Sequence, residues 1–219
     1  MKLLAAGRTA DVYALDDHRV LRRYRDGRGA EPEAALLAYL RDQSFPVPAV
    51  ESARDGDMVL ERLGGEAMAA ALLGERVTAE AAAAILADLH TRLHALPARS
   101  ANPAVRILHL DLHPENVILT DQGPYLIDWR NATEGDPWLD VALTALILGQ
   151  VAVGDYGLPP AAVRALLTAF LGYAGPVPQA PLERAVAIRA ADPNITPAEV
   201  AQLGTAADLV RDITPPPAG

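Results

Sequence analysis

Short runs of alternating apolar and polar residues fill the first sixty or so positions, and this pattern predicts β-strands. One helix interrupts them over Glu33–Gln43, where Pro32 suits the first helical turn. The predicted strands are Lys2–Ala5, Val12–Leu15, Val20–Tyr24 and Met58–Arg62. We therefore expect a β-rich segment over residues 1–63.

From residue 64 onward the apolar spacing changes to three and four, which predicts helices. A helix capped by Thr78 and ended by Pro97 carries leucines on one face. Another begins with Asp136 as its cap and Pro137 as its first residue. Thr196 and Glu199 form a capping box for the last helix. The three later helices are predicted over Pro160–Tyr173, Pro181–Ala191 and Pro197–Arg211, and a disordered tail over residues 214–219.

Between these helices the sequence predicts one β-hairpin, from Val117–Thr120 to Pro124–Asp128. A three-residue turn with glycine at its third position would join the strands. In that register Asn116 faces Asp128, and an amide oxygen and a carboxylate converge. Both are hard ligands that suit Mg²⁺. Asp111 lies just upstream and is expected to face the same point.

Residues 109–116 read HLDLHPEN, and residues 127–129 read IDW. The spacing H-x-D-x-x-x-x-N, followed by an aspartate after a hairpin, is that of a kinase catalytic loop. Phosphoryl transfer needs two groups to hold a metal and a carboxylate to take the proton of the acceptor hydroxyl. Taken singly, Asp111, Asn116 and Asp128 are more simply loop caps or a strand end. As a set, they favour the catalytic interpretation.

These segments, together with GDPWLDVA at residues 135–142, resemble the aminoglycoside phosphotransferase and choline kinase-like family. This is the small-molecule branch of the protein-kinase-like fold. The resemblance implies an α+β, bilobal protein-kinase-like fold, with a β-rich nucleotide lobe over residues 1–63 and a helical lobe with the catalytic hairpin over 64–213. It also implies ATP, or GTP, and Mg²⁺ as cofactors. Asp111 would be the catalytic base, and Asn116 and Asp128 would bind the metal.

Three further residues are expected to support this loop. His109 is expected to pack beneath it, and His113 either braces it or contacts phosphate. Asp140 stands within an apolar helix, where a buried carboxylate is costly unless it is hydrogen-bonded. The family suggests the backbone amides of the loop as its partners.

The nucleotide side of the sequence is less regular. The loop Gly7–Val12 has one glycine; it resembles the family's shortened phosphate loop, in which Thr9 and backbone amides would meet a phosphate, or it is an ordinary hairpin turn. Arg22 stands where the family has a lysine, and arginine also clamps phosphate. Glu33 is either its helix partner or an acid that favours the helix dipole. By resemblance, a connector that includes Glu61 and Leu63 grips adenine.

His90 and His94 are four residues apart on a predicted helix, a spacing that can bind zinc. No third ligand is evident from the sequence. Packing within the helix is therefore the preferred interpretation.

Composition narrows the remaining classes of function. The 219 residues carry a net charge of −9, which argues against a nucleic-acid partner. The chain has no cysteine, which excludes disulfide and thiolate chemistry. The longest apolar run, Val141–Val153, is too short for a membrane span, and Arg8 comes too early for a signal peptide. We expect a cytoplasmic protein without a membrane partner.

The expected partner is a small molecule with a hydroxyl group, and the acidic balance also permits a cationic one. The helical part offers five acids for such a cation: Glu134, Asp136, Glu183, Asp192 and Asp208. The main alternative is a pseudokinase or nucleotide-binding regulatory module. Arg22 and the single-glycine loop motivate that alternative. The sequence does not indicate the oligomeric state.

Overall fold

The computed structural model describes residues 1–7, 9–25, 27, 29–100 and 102–213. In chain order the elements are β1 (Lys2–Ala6), β2 (Ala10–Ala14), β3 (Arg19–Tyr24), α1 (Glu31–Asp42), β4 (Val50–Arg54), β5 (Asp57–Glu61), β6 (Gly65–Ala67), α2 (Met68–Leu73), α3 (Ala79–Ala95), β7 (Arg106–Leu108), a 3₁₀ turn (Pro114–Asn116), β8 (Val117–Thr120), β9 (Gly123–Leu126), β10 (Thr133–Gly135), α4 (Pro137–Val153), α5 (Pro160–Ala174), α6 (Gln179–Ala190) and α7 (Pro197–Ile213). The predicted α+β class, with a β-rich amino-terminal part before the helices, is confirmed. The tail predicted over 214–219 lies outside the described residues.

The chain forms two compact units. The first contains residues 1–66 and 117–130, and the second contains residues 67–116 and the chain from Asn131 onward. The hairpin of β8 and β9 thus belongs to the strand-rich unit, whereas the loop before it belongs to the helical unit.

An antiparallel sheet in the order β1-β2-β3-β5-β4 forms most of the first unit. Helix α1 contacts β4 and begins with Pro32 in its first turn, as predicted. Leu37 and Leu40 of α1 are buried with Met58 of β5. Phe45 meets the buried Trp129 edge-on, with ring centroids 5.8 Å apart. These buried side chains form an apolar core for the first unit.

The hairpin of β8 and β9 differs from its predicted register by one residue. Thr120 pairs with Gly123 and Val117 pairs with Leu126, so the turn has two residues rather than three. The hydroxyl of Thr120 accepts from the amide of Gln122 at 3.1 Å and donates to the carbonyl of Gly123 at 2.9 Å, which closes this shorter turn. The prediction that Asn116 faces Asp128 across the hairpin is therefore wrong. Asn116 ends the 3₁₀ turn, and Asp128 follows the end of β9.

Helix α4 forms the centre of the second unit. Its residues from Leu139 to Gln150 are all buried, because α4 packs against α5, α6, α7 and β7. The apolar run that includes Val141–Val153 is thus a core helix. Among the described residues, no helix is long and apolar enough to cross a membrane.

The predicted caps at Thr78, Asp136 and Thr196 agree with the structure, whereas α1 and α6 each begin two residues before their predicted starts at Glu33 and Pro181. The hydroxyl of Thr78 accepts from the amide of Ala81, and Asp136 accepts from the amide of Trp138. Thr196 and Glu199 exchange the two reciprocal bonds of a capping box, at 2.7 and 3.2 Å. The sequence pattern missed the short elements β4, β6, α2, β7 and β10.

Candidate active site

Asp140 holds the loop that follows β7 at two consecutive backbone amides. Its carboxylate accepts from the amide of His109 at 3.0 Å and from the amide of Leu110 at 2.7 Å. Leu110 has a φ of +64°, a left-handed conformation that costs a leucine roughly 1–2 kcal/mol. The two bonds from Asp140 offset this cost and fix the backbone immediately before Asp111.

The Asp140 carboxylate is completely buried on α4. His94 on α3 donates to it through Nε2 at 3.0 Å. Burial raises the pKa of Asp140, but the bond from His94, the nearby histidines and the His109 amide lower it more, to about 2. Asp140 is therefore an ionised anchor at neutral pH.

Asp111 and Asn116 meet within the loop. The Asn116 Nδ2 donates to the Asp111 carbonyl at 2.8 Å and lies 3.4 Å from the Asp111 carboxylate. The ring of His113 lies 3.5 Å from the Asp111 carboxylate and 3.2 Å from Asn116 Nδ2. His113 thus braces the two side chains. His109 is buried below them, and its Nδ1 accepts from the Asp111 amide at 3.2 Å.

The environment of Asp111 favours its ionised form. Burial raises its pKa, whereas the hydrogen bond from His113 and the charges of His113, His109 and Arg189 lower it below its usual value. Arg189 on α6 donates to the side chain of the buried Gln150 at 3.1 Å. A base that stays ionised is able to accept a proton at neutral pH.

Two buried polar residues, Thr144 and His90, also form a chain of hydrogen bonds to this loop. The sequence did not indicate that these two residues act together. Thr144 on α4 donates from Oγ1 to the carbonyl of Leu112 at 2.7 Å. The Nε2 of His90 on α3 lies 2.9 Å from the same hydroxyl. A signal exists in the spacing, because Thr144 is four residues after Asp140 and His90 is four before His94. Each pair therefore lies on one face of its helix.

The structure also supplies the third potential metal ligand that the sequence did not show. Ligand atoms of His90, His94 and Asp140 lie within 4.8 Å of one another. However, His94 Nε2 bonds Asp140, and His90 Nε2 bonds Thr144. These bonds favour structural packing of the histidines over metal binding.

In the first unit, Arg22 bridges two carboxylates. Its Nη1 lies 3.1 Å from Glu33, and its Nη2 pairs with Asp128. Glu33 also accepts from the hydroxyl of Tyr24 at 2.6 Å and from the amide of Trp129 at 3.3 Å. Burial lowers the pKa of Arg22, but the charges of Asp128 and Glu33 raise it more. Glu33 is therefore the carboxylate partner of Arg22 in this structure, besides lying in the first turn of α1.

Asp128 has a φ of +66°, so it adopts a left-handed backbone conformation, as Leu110 does. Among the described residues, Asp128 pairs with Arg22 through its Oδ1 atom. The Asp128 side chain is 39% exposed. A carboxylate oxygen such as those of Asp128 suits a hard cation.

The remaining predicted nucleotide residues have structural contacts of their own. The Thr9 carbonyl accepts from the Arg25 amide at 2.8 Å, within a tight turn in which the Gly7 amide donates to Ala10. Arg8 of this loop lies outside the described residues. The Glu61 carboxylate accepts from the Ala49 amide at 3.0 Å. Leu63 follows the end of β5 and is partly buried. The adenine contacts at Glu61 and Leu63 stay predictions.

Each of the five acids considered for a cationic acceptor has a hydrogen-bond partner among the described residues, and for all but Glu134 that partner is within four residues in the chain. The pairs are Glu134 with the amides of Arg99 and Ser100, Asp136 with the Trp138 amide, Glu183 with Gln179, Asp192 with Asn194, and Asp208 with Arg211. These bonds use one carboxylate oxygen of Asp136, Glu183, Asp192 and Asp208, and both oxygens of Glu134.

The sequence matches the model of a phosphotransferase enzyme family over residues 1–106 and 91–182. A search of curated proteins finds no significant match to it.

Solved structures show the same fold at low sequence identity. Aminoglycoside phosphotransferase APH(2'')-Ib, in its ADP-bound form, is 13% identical with a TM-score of 0.63, over 95% of this chain and 93% of that one. Aminoglycoside phosphotransferase APH(3'')-Id from Streptomyces rimosus is 17% identical with a TM-score of 0.59, over 92% and 89%. The macrolide 2'-phosphotransferase MphH from Brachybacterium faecium is 20% identical with a TM-score of 0.51, over 100% and 93%.

Proposed function

The chain belongs to the phosphotransferase enzyme family, and from this membership we propose that it transfers the γ-phosphoryl group of ATP to a hydroxyl group of a small molecule. The observation that carries this proposal is the loop of Asp111. Its base is ionised, touches Asn116, and lies on backbone that the buried Asp140 anchors. This is the chemistry that an acceptor hydroxyl requires.

In the proposed step, the acceptor oxygen bonds to the γ-phosphorus while its proton passes to the Asp111 carboxylate. The bond from the γ-phosphorus to the bridging oxygen breaks, and ADP leaves with that electron pair. His113 keeps the carboxylate in place, because it lies 3.5 Å from its oxygen. Asp111 then releases its proton to solvent before the next turnover.

Asn116 and Asp128 are the proposed ligands of Mg²⁺, which when bound neutralises the phosphate charge. The donor set fits this ion. Since Asn116 Nδ2 donates to Asp111, its Oδ1 is the atom left for a metal. Asp128 likewise retains Oδ2, because Arg22 takes Oδ1.

On the nucleotide side, we propose that Arg22 contacts phosphate while Glu33 orients its guanidinium. Thr9 is the proposed phosphate contact of the β1–β2 loop, and Glu61 and Leu63 are the proposed adenine contacts. ATP is the first choice of donor, with GTP as the alternative. An ADP complex of one similar structure supports an adenine nucleotide.

We propose a small hydroxyl-bearing acceptor. The similar structures include enzymes named for aminoglycosides and for macrolides. A cationic acceptor would use the carboxylate oxygens of these acids that the bonds described above do not involve, or it would bind elsewhere.

A second candidate is a regulatory module that binds nucleotide without turnover. The contact of Arg22 with Asp128 favours it, because a guanidinium on this carboxylate competes with a metal ion. Under this alternative, nucleotide stabilises the protein but no acceptor is phosphorylated.

The two candidates differ in a screen that pairs melting temperature with ³¹P NMR. We expect ATP with Mg²⁺ to raise the melting temperature and one or more hydroxyl compounds to yield a phosphate ester and ADP. Stabilisation without any ester across sugars, amino alcohols and aminoglycosides would favour the regulatory module. No stabilisation by ATP or GTP would contradict both.

A further inference from the structure

A buried chain of hydrogen bonds runs from α3 through α4 to the loop. It links the His90 ring to the Thr144 hydroxyl at 2.9 Å, and that hydroxyl to the Leu112 carbonyl at 2.7 Å. Leu112 and Thr144 are completely buried, and His90 is only 3% exposed. Water therefore does not replace either bond easily.

The direction of the chain follows from its members. A carbonyl only accepts, so Thr144 uses its single hydroxyl proton on Leu112. The Thr144 oxygen must then accept from His90, which requires a proton on His90 Nε2. His90 Nδ1 has no hydrogen-bond partner among the described residues. The network thus fixes Nε2 as a His90 nitrogen that carries a proton.

This chain of hydrogen bonds fixes the backbone after Asp111, whereas Asp140 fixes the backbone before it. Asp140 holds the amide of Leu110, one residue before Asp111, and Thr144 holds the carbonyl of Leu112, one residue after it. Both anchors come from α4, four residues apart. Asp111 is therefore clamped on both sides by one helix.

We propose that His90 and Thr144 are positioning residues, which set the Leu112 carbonyl and thereby hold the carboxylate of Asp111 in its reactive place. The proposal rests on the proposed phosphoryl transfer. It also gives a role to Thr144 and His90, two buried polar residues that do not contact Asp111 themselves. Small displacements of a catalytic group reduce rates strongly, since proximity supplies much of the acceleration.

The first test compares Thr144→Val with Thr144→Ser. Valine has the shape of threonine without the hydroxyl, whereas serine keeps the donor. We expect Thr144→Val to lower kcat roughly tenfold with KM for ATP within about twofold, and Thr144→Ser to stay near the parent. Equal kcat in the two variants, both folded, would overturn the proposal.

A second pair covers the case in which Thr144→Val does not fold. His90→Gln keeps an amide donor near the position of Nε2, whereas His90→Leu removes it. We expect Gln to retain more kcat than Leu. The double variant His90→Leu with Thr144→Val should be about as slow as Thr144→Val alone, because His90 acts on the loop only through the Thr144 hydroxyl. If the losses of kcat in the two single variants add up in the double variant, the proposed chain of hydrogen bonds is wrong.

A spectroscopic measurement separates this inference from the proposed function. In ¹⁵N-labelled protein at neutral pH, His90 should show a protonated Nε2 and a bare Nδ1, and Thr144→Val should shift the Nε2–H signal. A protonated Nδ1 instead would overturn the inference while phosphoryl transfer stood. A parent protein without any transfer would overturn both proposals together, whatever the tautomer.

Discussion

Asp140 is the residue with the most demanding environment in the candidate site. It is a fully buried carboxylate that accepts from two backbone amides and from His94. A buried carboxylate is stable only while its oxygen atoms accept hydrogen bonds from such donors. The left-handed Leu110 beside it adds local strain that these bonds must offset.

We predict that Asp140→Asn destabilises the protein by about 2–4 kcal/mol. An asparagine has one acceptor oxygen, and its amide protons would face the donors that now bind the carboxylate. Urea denaturation measures the loss. Asp136→Asn is the matched control, because asparagine caps a helix as well as aspartate does. Equal stability of the two variants would contradict the anchoring role of Asp140.

His90 gives a prediction on pH. Burial lowers its pKa from 6.5 to about 4, although the charge of Asp140 raises it in part. His94 and His109 also face the ring and lower the pKa, and Phe170 of α5 packs against it. Between pH 6.5 and 4 the unfolded chain therefore binds a proton that the folded chain does not.

The free energy of unfolding should accordingly fall as pH falls through this window, by roughly 2–3 kcal/mol from His90 alone. Asp140 acts in a separate window, between its ordinary value near 3.8 and about 2. His90→Gln should flatten the decline, and a change at the exposed His18 to glutamine should not. An unchanged decline in His90→Gln would show that His90 does not cause it.

Asp111, Asn116, Asp128 and Asp140 were singled out from sequence spacing because that spacing resembles the short-range pattern of a kinase catalytic loop, and their roles stay predictions. Thr144 was not predictable in the same way. Its partners, His90 and Leu112, are 54 and 32 residues away in the chain. Only the packing of α3 beside α4 brings them together.

At the scale of elements, helix-capping residues predicted the positions of helices better than apolar alternation predicted the positions of strands. The caps at Thr78, Asp136 and Thr196 act within one turn, so the sequence reveals them. Strand β4 reads VESAR and was missed, because its pairing with β5 supplies what its composition lacks. The hairpin register was wrong by one residue, because the Thr120 hydroxyl selects a two-residue turn.

Neighbouring glycines at β6 provide an element-scale test. A Cβ on Gly65 would lie 2.1 Å from the Leu119 carbonyl of β8, whereas a Cβ on Gly64 would meet nothing within 4 Å. We expect Gly65→Ala to separate β6 from β8 and to destabilise the protein by about 1–3 kcal/mol. Gly64→Ala should be within about 0.5 kcal/mol of the parent in the same urea titration. Equal effects would contradict the close approach of β6 to β8.

At the scale of the whole molecule, the family resemblance predicted from the sequence is confirmed by the family model and agrees with the solved structures. That resemblance does not extend to the acceptor, because one fold serves many acceptors. The chain carries a net charge of −9, yet the five acids of its helical unit considered above all accept hydrogen bonds within that unit. Net charge is thus a weak guide to the ligand here.

The central claim is that Asp111 is the base of phosphoryl transfer, and Asp111→Asn tests it most directly. Once an acceptor is identified, kcat should fall at least a hundredfold, while ATP with Mg²⁺ still raises the melting temperature as in the parent. Asp42→Asn, at an exposed aspartate near the end of α1, is the control and should keep full activity. A folded Asp111→Asn variant that transfers phosphate at the parental rate would contradict the account.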